Sequence, residues 1–143
     1  MFIGQYNHNI DEKGRLQIPA KFRSVLTEGA IVTRGLDGCL FIYTKSQWQS
    51  LIERLSDLPL SQKDARQFSR LMLAGAMEIE LDKQGRVVLP AYLRDFAKLK
   101  TNVVVAGLFN RIEVWDNKVW AEQQADVESH SDEIAEKLID FGV

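Results

Sequence analysis

The chain has 143 residues, of which 45% are hydrophobic and 27% are charged, a balance typical of one globular domain or of two very small ones. This composition excludes fibrous, collagenous and disordered chains, and a formal net charge of −2 does not indicate a uniformly basic protein that coats nucleic acid or membrane. A single cysteine, Cys39, and two histidines exclude an internal disulfide and a structural zinc site, so we expect a reducing, cytoplasmic compartment.

The first part of the chain predicts short β-strands separated by tight turns. Tyr6, His8 and Ile10 occupy every second position, as expected of a strand with one covered face. The next four residues begin with Asp11 and end with Gly14, which is the preference of a type I β-turn. Pro19 cannot continue a central strand but suits the first turn of a helix. The further elements predicted here are a strand over Arg15–Ile18, a short helix from Pro19, and strands over Ala30–Arg34 and Cys39–Tyr43 joined by a turn at Asp37-Gly38.

Two helices are predicted next. Thr44 with Gln47 three residues on matches a capping box, which starts the first helix. Pro59 ends that helix, and Ser61 with Asp64 predicts the cap of a second one. Apolar residues recur at helical spacing in both, at Trp48, Leu51, Ile52 and Leu55 in the first helix and at Phe68, Leu71 and Met72 in the second.

An internal repeat organises the rest of the chain. Residues 10–26 align with residues 81–97 at an offset of 71, and 6 of 17 aligned positions are identical. The identical pairs are Asp11/Asp82, Gly14/Gly85, Arg15/Arg86, Pro19/Pro90, Ala20/Ala91 and Arg23/Arg94. The second copy therefore predicts a strand ending at Leu81, a turn from Asp82 to Gly85, a strand over Arg86–Leu89, a short helix from Pro90, strands over Asn102–Ala106 and Arg111–Trp115, and a helix that carries Trp120.

The repeat divides the chain into two β-rich units within an α+β fold. We predict units over residues 1–57 and 75–128, a connecting helix over 58–74 and an acidic C-terminal tail over 129–143, in which Ser131–Phe141 forms a short helix. Each half of the chain, at about 70 residues, buries too little surface to be stable alone. We therefore expect the two units to share one hydrophobic core.

Charge is distributed unevenly along the chain. Residues 1–112 contain 16 Lys and Arg against 11 Asp and Glu, a net charge of +5, whereas residues 113–143 contain 2 against 9, a net charge of −7. The total of −2 thus conceals a basic body, which is compatible with an anionic partner.

Arg15 and Arg86 are the strongest candidates for binding residues. Turn chemistry accounts for the Asp and the Gly of each Asp-x-x-Gly-Arg motif, but it does not require an arginine directly after the glycine. Each arginine either contacts an external ligand or forms an ion pair with the aspartate four residues before it, Asp11 or Asp82. The two roles are compatible, because a carboxylate can hold a guanidinium in one rotamer for a ligand.

The alternative of an enzyme rests on the same two aspartates, since two carboxylates that share a proton form the site of some hydrolases. The motifs lack the Asp-Thr/Ser-Gly sequence of aspartic proteases, and a basic residue within two positions of each aspartate favours plain ionisation. No Gly-rich phosphate loop, nucleophile elbow or metal-binding histidine pair is present, and His8 and His130 have no partners. We expect no catalytic residue, metal, cofactor or small-molecule substrate. We also expect no membrane partner, because no run approaches the ~20 apolar residues that span a bilayer.

The motifs Asp11–Pro19 and Asp82–Pro90, with the segments Arg66–Gly75 and Gly107–Trp115, resemble those of the MraZ family of bacterial transcriptional regulators. The resemblance covers nearly the whole chain. It implies two AbrB-like units, arranged as a β-rich, pseudo-two-fold duplicated barrel of swapped-hairpin or double-psi-like type with peripheral helices. It further implies a ring-shaped homo-oligomer, associated with the nucleoid, that binds double-stranded DNA at directly repeated, G-containing promoter boxes upstream of the division and cell-wall gene cluster and represses it.

The same resemblance implies that the Asp-x-x-x-Arg motif contacts DNA, which assigns Asp11, Arg15, Asp82 and Arg86 to the interface. Arginine suits this role because it can donate two hydrogen bonds to O6 and N7 of guanine in the major groove. Neighbouring cations are predicted to contact phosphates and so to set position rather than sequence: Lys13, Lys21, Arg23, Lys83 and Arg94. For Arg23 and Arg94 a plain helix-surface charge is the alternative. The alternative function for the chain is a ring-forming protein-interaction scaffold that does not bind DNA.

Overall fold

The computed structural model describes all 143 residues and confirms the predicted α+β class. The strands are β1 (Phe2–Asn9), β2 (Arg15–Gln17), β3 (Ala30–Arg34), β4 (Leu40–Thr44), β5 (Met77–Ile79), β6 (Arg86–Val88), β7 (Asn102–Phe109) and β8 (Ile112–Asp116). The helices are α1 (Ala20–Arg23), α2 (Lys45–Ser56), α3 (Lys63–Ser69), α4 (Ala91–Phe96), α5 (Asn117–Ser129) and α6 (Ser131–Lys137). Ser24–Leu26 and Ile139–Phe141 form 3-10 turns, and Arg70–Ala74 continues α3 as a π-helical turn.

Six strands form one antiparallel sheet in the order β1-β7-β8-β4-β3-β5, and β2 pairs with β6 in a separate two-stranded ribbon. Every strand of the first half is hydrogen-bonded to a strand of the second half. Exchanging each strand for its counterpart in the repeat turns the order of the sheet into its reverse, so the duplication produces a pseudo-two-fold arrangement. The closed barrel that the resemblance implied is not observed, because β1 pairs only with β7 and the short β5 pairs only with β3, which leaves two edges.

The main core lies under the ribbon and draws on both halves of the chain. It contains 19 buried residues, which come from the inner face of the ribbon, from α1 and α4, and from one face of the sheet. The strand alternation around the two motifs predicted four of them correctly, and all four are at most 1% exposed: Leu16, Ile18, Val87 and Leu89. The shared core is therefore confirmed, and the ribbon is anchored to it by every second residue.

The opposite face of the sheet is covered by α2 and α5. The ring of Trp48 on α2 lies 5.8 Å from that of Tyr43, and the ring of Trp120 on α5 lies 5.6 Å from that of Trp115. The predicted apolar face of α2 is present, although only Leu55 is fully buried. These helices lie on the far side of the sheet from the ribbon, so they leave its outer face uncovered.

Local signals predicted one helix start correctly and another incorrectly. The capping box at Thr44 is formed, since its hydroxyl accepts a hydrogen bond from the backbone N–H of Gln47 at 3.1 Å. The predicted cap at Ser61 is wrong, because Gln62 is the N-terminal cap of α3 and makes no side-chain capping bond. A turn between Gln62 and Pro59 delays the helix by one residue.

The acidic tail extends away from the core. The terminal helix predicted over Ser131–Phe141 is present as α6 and the 3-10 turn that follows it, and every residue from 125 to 143 is exposed. None of the helices combines the length and the apolar character needed to cross a bilayer.

Candidate nucleic-acid interface

Each Asp-x-x-Gly-Arg motif forms a tight turn at one end of the ribbon. In the first, the N–H of Gly14 donates to the carbonyl of Asp11 at 3.0 Å, and in the second Gly85 donates to Asp82 at the same distance. Both glycines adopt a positive φ, 78° and 75°, which side-chain-bearing residues rarely tolerate. The conformation of each turn therefore requires glycine at its fourth position, and the arginine that follows begins β2 or β6.

The Asp11 carboxylate holds Arg15 in place. Its Oδ1 accepts hydrogen bonds from the backbone N–H groups of Lys13 and Arg15, at 3.0 and 2.9 Å. Its Oδ2 accepts one from Nε of Arg15 at 2.5 Å. The ion pair between Arg15 and Asp11, which was one of the two roles considered for Arg15, is thus present, and it fixes the guanidinium through one nitrogen only.

The second motif repeats this arrangement. Oδ1 of Asp82 accepts from the backbone N–H groups of Gln84 and Arg86 at 2.8 and 2.9 Å, and Oδ2 accepts from Nε of Arg86 at 2.9 Å. The backbone hydrogen bond from the arginine is the main reason that the pKa of each aspartate, Asp11 and Asp82, lies below its ordinary value. Each carboxylate is held ionised by its own arginine, which is unfavourable for a proton shared between them.

Both arginines keep their outer nitrogens free. Nη1 and Nη2 of Arg15 and Arg86 make no hydrogen bond within the chain, and the two side chains are 31% and 25% exposed. Nη1 and Nη2 together offer two parallel donors, the geometry that suits a bidentate acceptor such as a guanine edge or a phosphate.

The ribbon brings the two arginines onto one surface. In the antiparallel pairing Arg15 lies opposite Val88, Leu16 opposite Val87, and Gln17 opposite Arg86. Because directly opposed residues share a face, Leu16 and Val87 point into the core and the other four residues point outward. Arg15 and Arg86 are diagonal neighbours on this outer face, a relation that places their Cα atoms about 7–8 Å apart in antiparallel pairs.

Arg23 and Arg94 have a structural role that the sequence did not predict. Nε of Arg23 donates to the carbonyl of Ile18 at 2.8 Å, and its guanidinium lies directly against Gly85 in the motif of the other half. Arg94 does the same in reverse, with Nε donating to Leu89 at 3.0 Å and the guanidinium against Gly14. Each half therefore braces the turn of the other, so the two arginines are more than plain helix-surface charges.

The remaining predicted cations surround the ribbon. Lys13 and Lys83 occupy the two turns, and Lys21 lies on α1; all three side chains are exposed and form no ion pair within the chain. Their ammonium groups are thus free for anions.

Two outward-facing residues of the ribbon, Gln17 and Val88, were missed by the sequence analysis. Val88 is 55% exposed, and Gln17 lies between the two motifs with its amide near the second turn. The signal was present, because the alternation that buries Leu16 and Val87 also places their neighbours on the arginine face.

Comparison with known proteins identifies the relatives of the chain. The sequence model of a family described as "MraZ protein, putative antitoxin-like" matches it twice, over residues 1–71 and 72–142. A "Transcriptional regulator MraZ" from Natranaerobius thermophilus is 48% identical over 143 residues, which are 100% of each chain. A protein of the same name from Caldanaerobacter subterraneus subsp. tengcongensis is also 48% identical over 143 residues, again with 100% of each chain covered. The two family matches begin 71 residues apart, which is the offset of the internal repeat.

Proposed function

Since the chain belongs to the MraZ family, we propose that it is a sequence-specific DNA-binding transcriptional regulator that inserts the outer face of the β2–β6 ribbon into the major groove. One observation carries the proposal: two equivalent arginines lie on that face, each fixed by an aspartate through Nε, with both outer nitrogens free. The major groove is wide enough for a two-stranded β-ribbon, and arginine to guanine is the commonest specific contact made there.

The aspartates contribute by orienting the arginines before DNA arrives. An arginine without a partner loses side-chain entropy when it binds a base, and a preformed ion pair removes part of that cost. Nη1 and Nη2 of Arg15 and Arg86 then donate to O6 and N7 of guanine, while Nε stays on the carboxylate. Asp11 and Asp82 are thus positioning residues that do not themselves touch a base.

The surrounding lysines and arginines supply the contacts to phosphate. Lys13 and Lys83 extend from the two turns, and Lys21 lies on the helix that follows the first motif. Nε of Arg23 and of Arg94 is committed to a carbonyl, so only the outer nitrogens of these two side chains remain for phosphate. Such contacts raise affinity and its dependence on salt without adding preference for a sequence.

The finer features of the family resemblance complete the proposal. Two guanine contacts per chain bind weakly, so a ring homo-oligomer that presents the same ribbon from successive subunits would gain avidity on directly repeated boxes. Self-association of the chain, with its two AbrB-like units, is supported by exposed apolar side chains at the β1–β7 end of the sheet, which are Ile3, Leu108 and Phe109. The proposed targets are promoter boxes upstream of the division and cell-wall gene cluster. By binding them in the cytoplasm, at the nucleoid, the protein would repress transcription of that cluster.

The test compares binding to repeated G-containing duplexes and to scrambled duplexes over a salt series. Arg15→Ala and Arg86→Ala should each reduce the preference for the specific duplex by about 5- to 150-fold, the range of one good bidentate contact. Lys13→Ala should weaken binding to both duplexes alike and lower the salt slope by about 1. Arg54→Ala, which removes the same charge from an exposed site on α2, should change neither.

Two results would contradict the proposal. Unchanged preference in the Arg15→Ala, Arg86→Ala double variant would show that the ribbon does not read DNA. Absence of binding to any duplex at low salt would favour the alternative, a protein-interaction scaffold without a DNA partner.

A further inference from the structure

The outer face of the ribbon is symmetric in its arginines but not in the residues beside them. The pseudo-two-fold relates Arg15 to Arg86 and Gln17 to Val88, because Leu16 and Val87 are paired at its centre. Two further hydrogen bonds obey the same symmetry, from the N–H of residue 18 to the carbonyl of residue 85 at 3.0 Å and from residue 89 to residue 14 at 2.9 Å. The backbone of the ribbon is therefore two-fold, whereas its outward chemistry is not.

The register places a different neighbour next to each arginine. Val88 is directly opposed to Arg15, and Gln17 is directly opposed to Arg86, so each pair has its Cα atoms about 4.5–5.5 Å apart. One end of the ribbon thus combines a guanidinium with an exposed isopropyl group, and the other combines a guanidinium with an amide. A duplex lying along the ribbon meets two chemically distinct ends.

The amide of Gln17 is held by the backbone of the second turn. Its Nε2 donates to the backbone carbonyl of Gln84 in the second turn at 2.9 Å, which uses one of its two hydrogens. Nε2 also lies 3.5 Å from the carbonyl oxygen of Gly85, at the limit of a hydrogen bond, and the acceptor Oε1 has no partner in the chain. The weakly bonded hydrogen and the free acceptor of this amide match N7 and the N6 amino group of adenine.

Val88 offers the opposite chemistry. It is 55% exposed, it has no polar atom in its side chain, and it lies on the same outward face as the two arginines. The apolar group that the major groove presents is the methyl group of thymine.

We propose that Gln17 and Val88 give the ribbon a direction on DNA, with the Gln17 end selecting adenine and the Val88 end selecting thymine beside the guanines read by Arg86 and Arg15. The inference rests on the proposed function. A ribbon with the same residue at both positions would be two-fold and would suit palindromic sites, because a symmetric reader is matched by a symmetric site. The unequal pair instead suits an asymmetric box, which successive copies of the chain can read as direct repeats.

The experiment selects preferred duplexes from a library randomised around two fixed guanines, one for each arginine, using the full-length protein. The wild-type chain should enrich adenine beside one guanine and thymine beside the other. Gln17→Val should enrich thymine beside both guanines, and Val88→Gln should enrich adenine beside both, so that each box becomes two-fold. The exchanged variant, Gln17→Val with Val88→Gln, should recover the wild-type box, because the pseudo-two-fold maps its ribbon onto that of the wild type. Each base preference should amount to about 5- to 150-fold for a good contact, and less for the methyl contact of Val88.

Two further variants separate base reading from a structural effect. Gln17→Glu removes the donors but keeps an acceptor, so its preference should move from adenine to cytosine, whose N4 amino group donates. Val88→Thr keeps the shape and one methyl group at an exposed position, so thymine should stay preferred. Urea unfolding of each variant checks that the ribbon is intact before selection.

The outcomes distinguish this inference from the function on which it rests. An unchanged box in Gln17→Val and in Gln17→Glu, with guanine still required, would overturn the assignment of positions 17 and 88 alone. A wild-type chain that enriches no sequence at all would overturn both the inference and the proposed function.

Discussion

The bracing of each turn by the other half can be measured through the two motif glycines. Gly14→Ala places a methyl group at a φ of 78°, and an alanine in the left-handed region costs about 1–2 kcal/mol. That methyl group would lie 3.0 Å from Cζ of Arg94, a contact that a small adjustment of a long side chain relieves. We therefore expect Gly14→Ala to lower the free energy of unfolding by about 1–2 kcal/mol.

Gly85→Ala should cost more, although its φ of 75° is nearly the same. Its methyl group would lie 2.7 Å from both Cδ and Cζ of Arg23, so the guanidinium has to move and its hydrogen bond to the carbonyl of Ile18 is lost. A hydrogen bond from a charged donor contributes about 1.5–3 kcal/mol, which brings the expected total to about 2.5–5 kcal/mol.

A double-mutant cycle isolates the contact across the halves. In the Arg23→Ala background there is no guanidinium to displace, so Gly85→Ala should again cost only about 1–2 kcal/mol. Urea unfolding at one protein concentration provides the free energies, because self-association would otherwise shift them. Equal costs for the two glycine variants, or additive effects of Gly85→Ala and Arg23→Ala, would refute the proposed brace.

Three further predictions concern stability. Burial, with the nearby charge of Arg23, lowers the pKa of His8, so the unfolded chain binds more protons and the free energy of unfolding should fall as pH drops below the ordinary value of 6.5. His8→Gln should remove this part of the dependence of the unfolding free energy on pH, and an unaltered dependence would contradict the prediction. The buried hydroxyl of Thr33 donates to the carbonyl of Met72 at 2.6 Å, so Thr33→Val should cost about 1–3 kcal/mol of unfolding free energy. Thr27→Val, at an exposed position, should leave that energy nearly unchanged, and similar losses in both variants would contradict the assignment. Deleting residues 131–143, all of which are exposed, should leave the unfolding midpoint unchanged and strengthen non-specific DNA binding, and a marked fall in the midpoint would show that the tail is part of the folded core.

Features set by neighbours in the chain were predictable from the sequence. The turn from Asp11 to Gly14 depends on a carboxylate that reaches backbone groups two and four residues away, and on a glycine that accepts positive φ. The burial of Leu16 depends on alternation alone, and the capping box at Thr44 depends on two residues three apart. Each of these interactions is decided within one turn or one strand.

Features that depend on pairing between the halves were not predictable in the same way. The register that opposes Gln17 to Arg86, and the contact of Arg23 with Gly85, join residues more than 60 positions apart. Local patterns fix which face of a strand is apolar, but they do not fix which strand lies beside it. For the same reason the sequence did not show that the three long-range strand pairings of the sheet, β1–β7, β4–β8 and β3–β5, leave it open instead of closing a barrel.

Duplication within one chain offers something that a dimer of a single unit does not. In a homodimer one sequence encodes both ends of a shared ribbon, so the two ends carry the same residues and a substitution at one end also appears at the other. In the fused chain the pairs that build the ribbon stay equivalent, as with Arg15 and Arg86, while the exposed pair Gln17 and Val88 is free to differ. Both halves contribute to the one core that anchors the ribbon, and under the proposed function the unequal pair gives the ribbon a direction on DNA. A directional reader is what a series of direct repeats requires, since each box then presents the same order of bases to each copy of the chain.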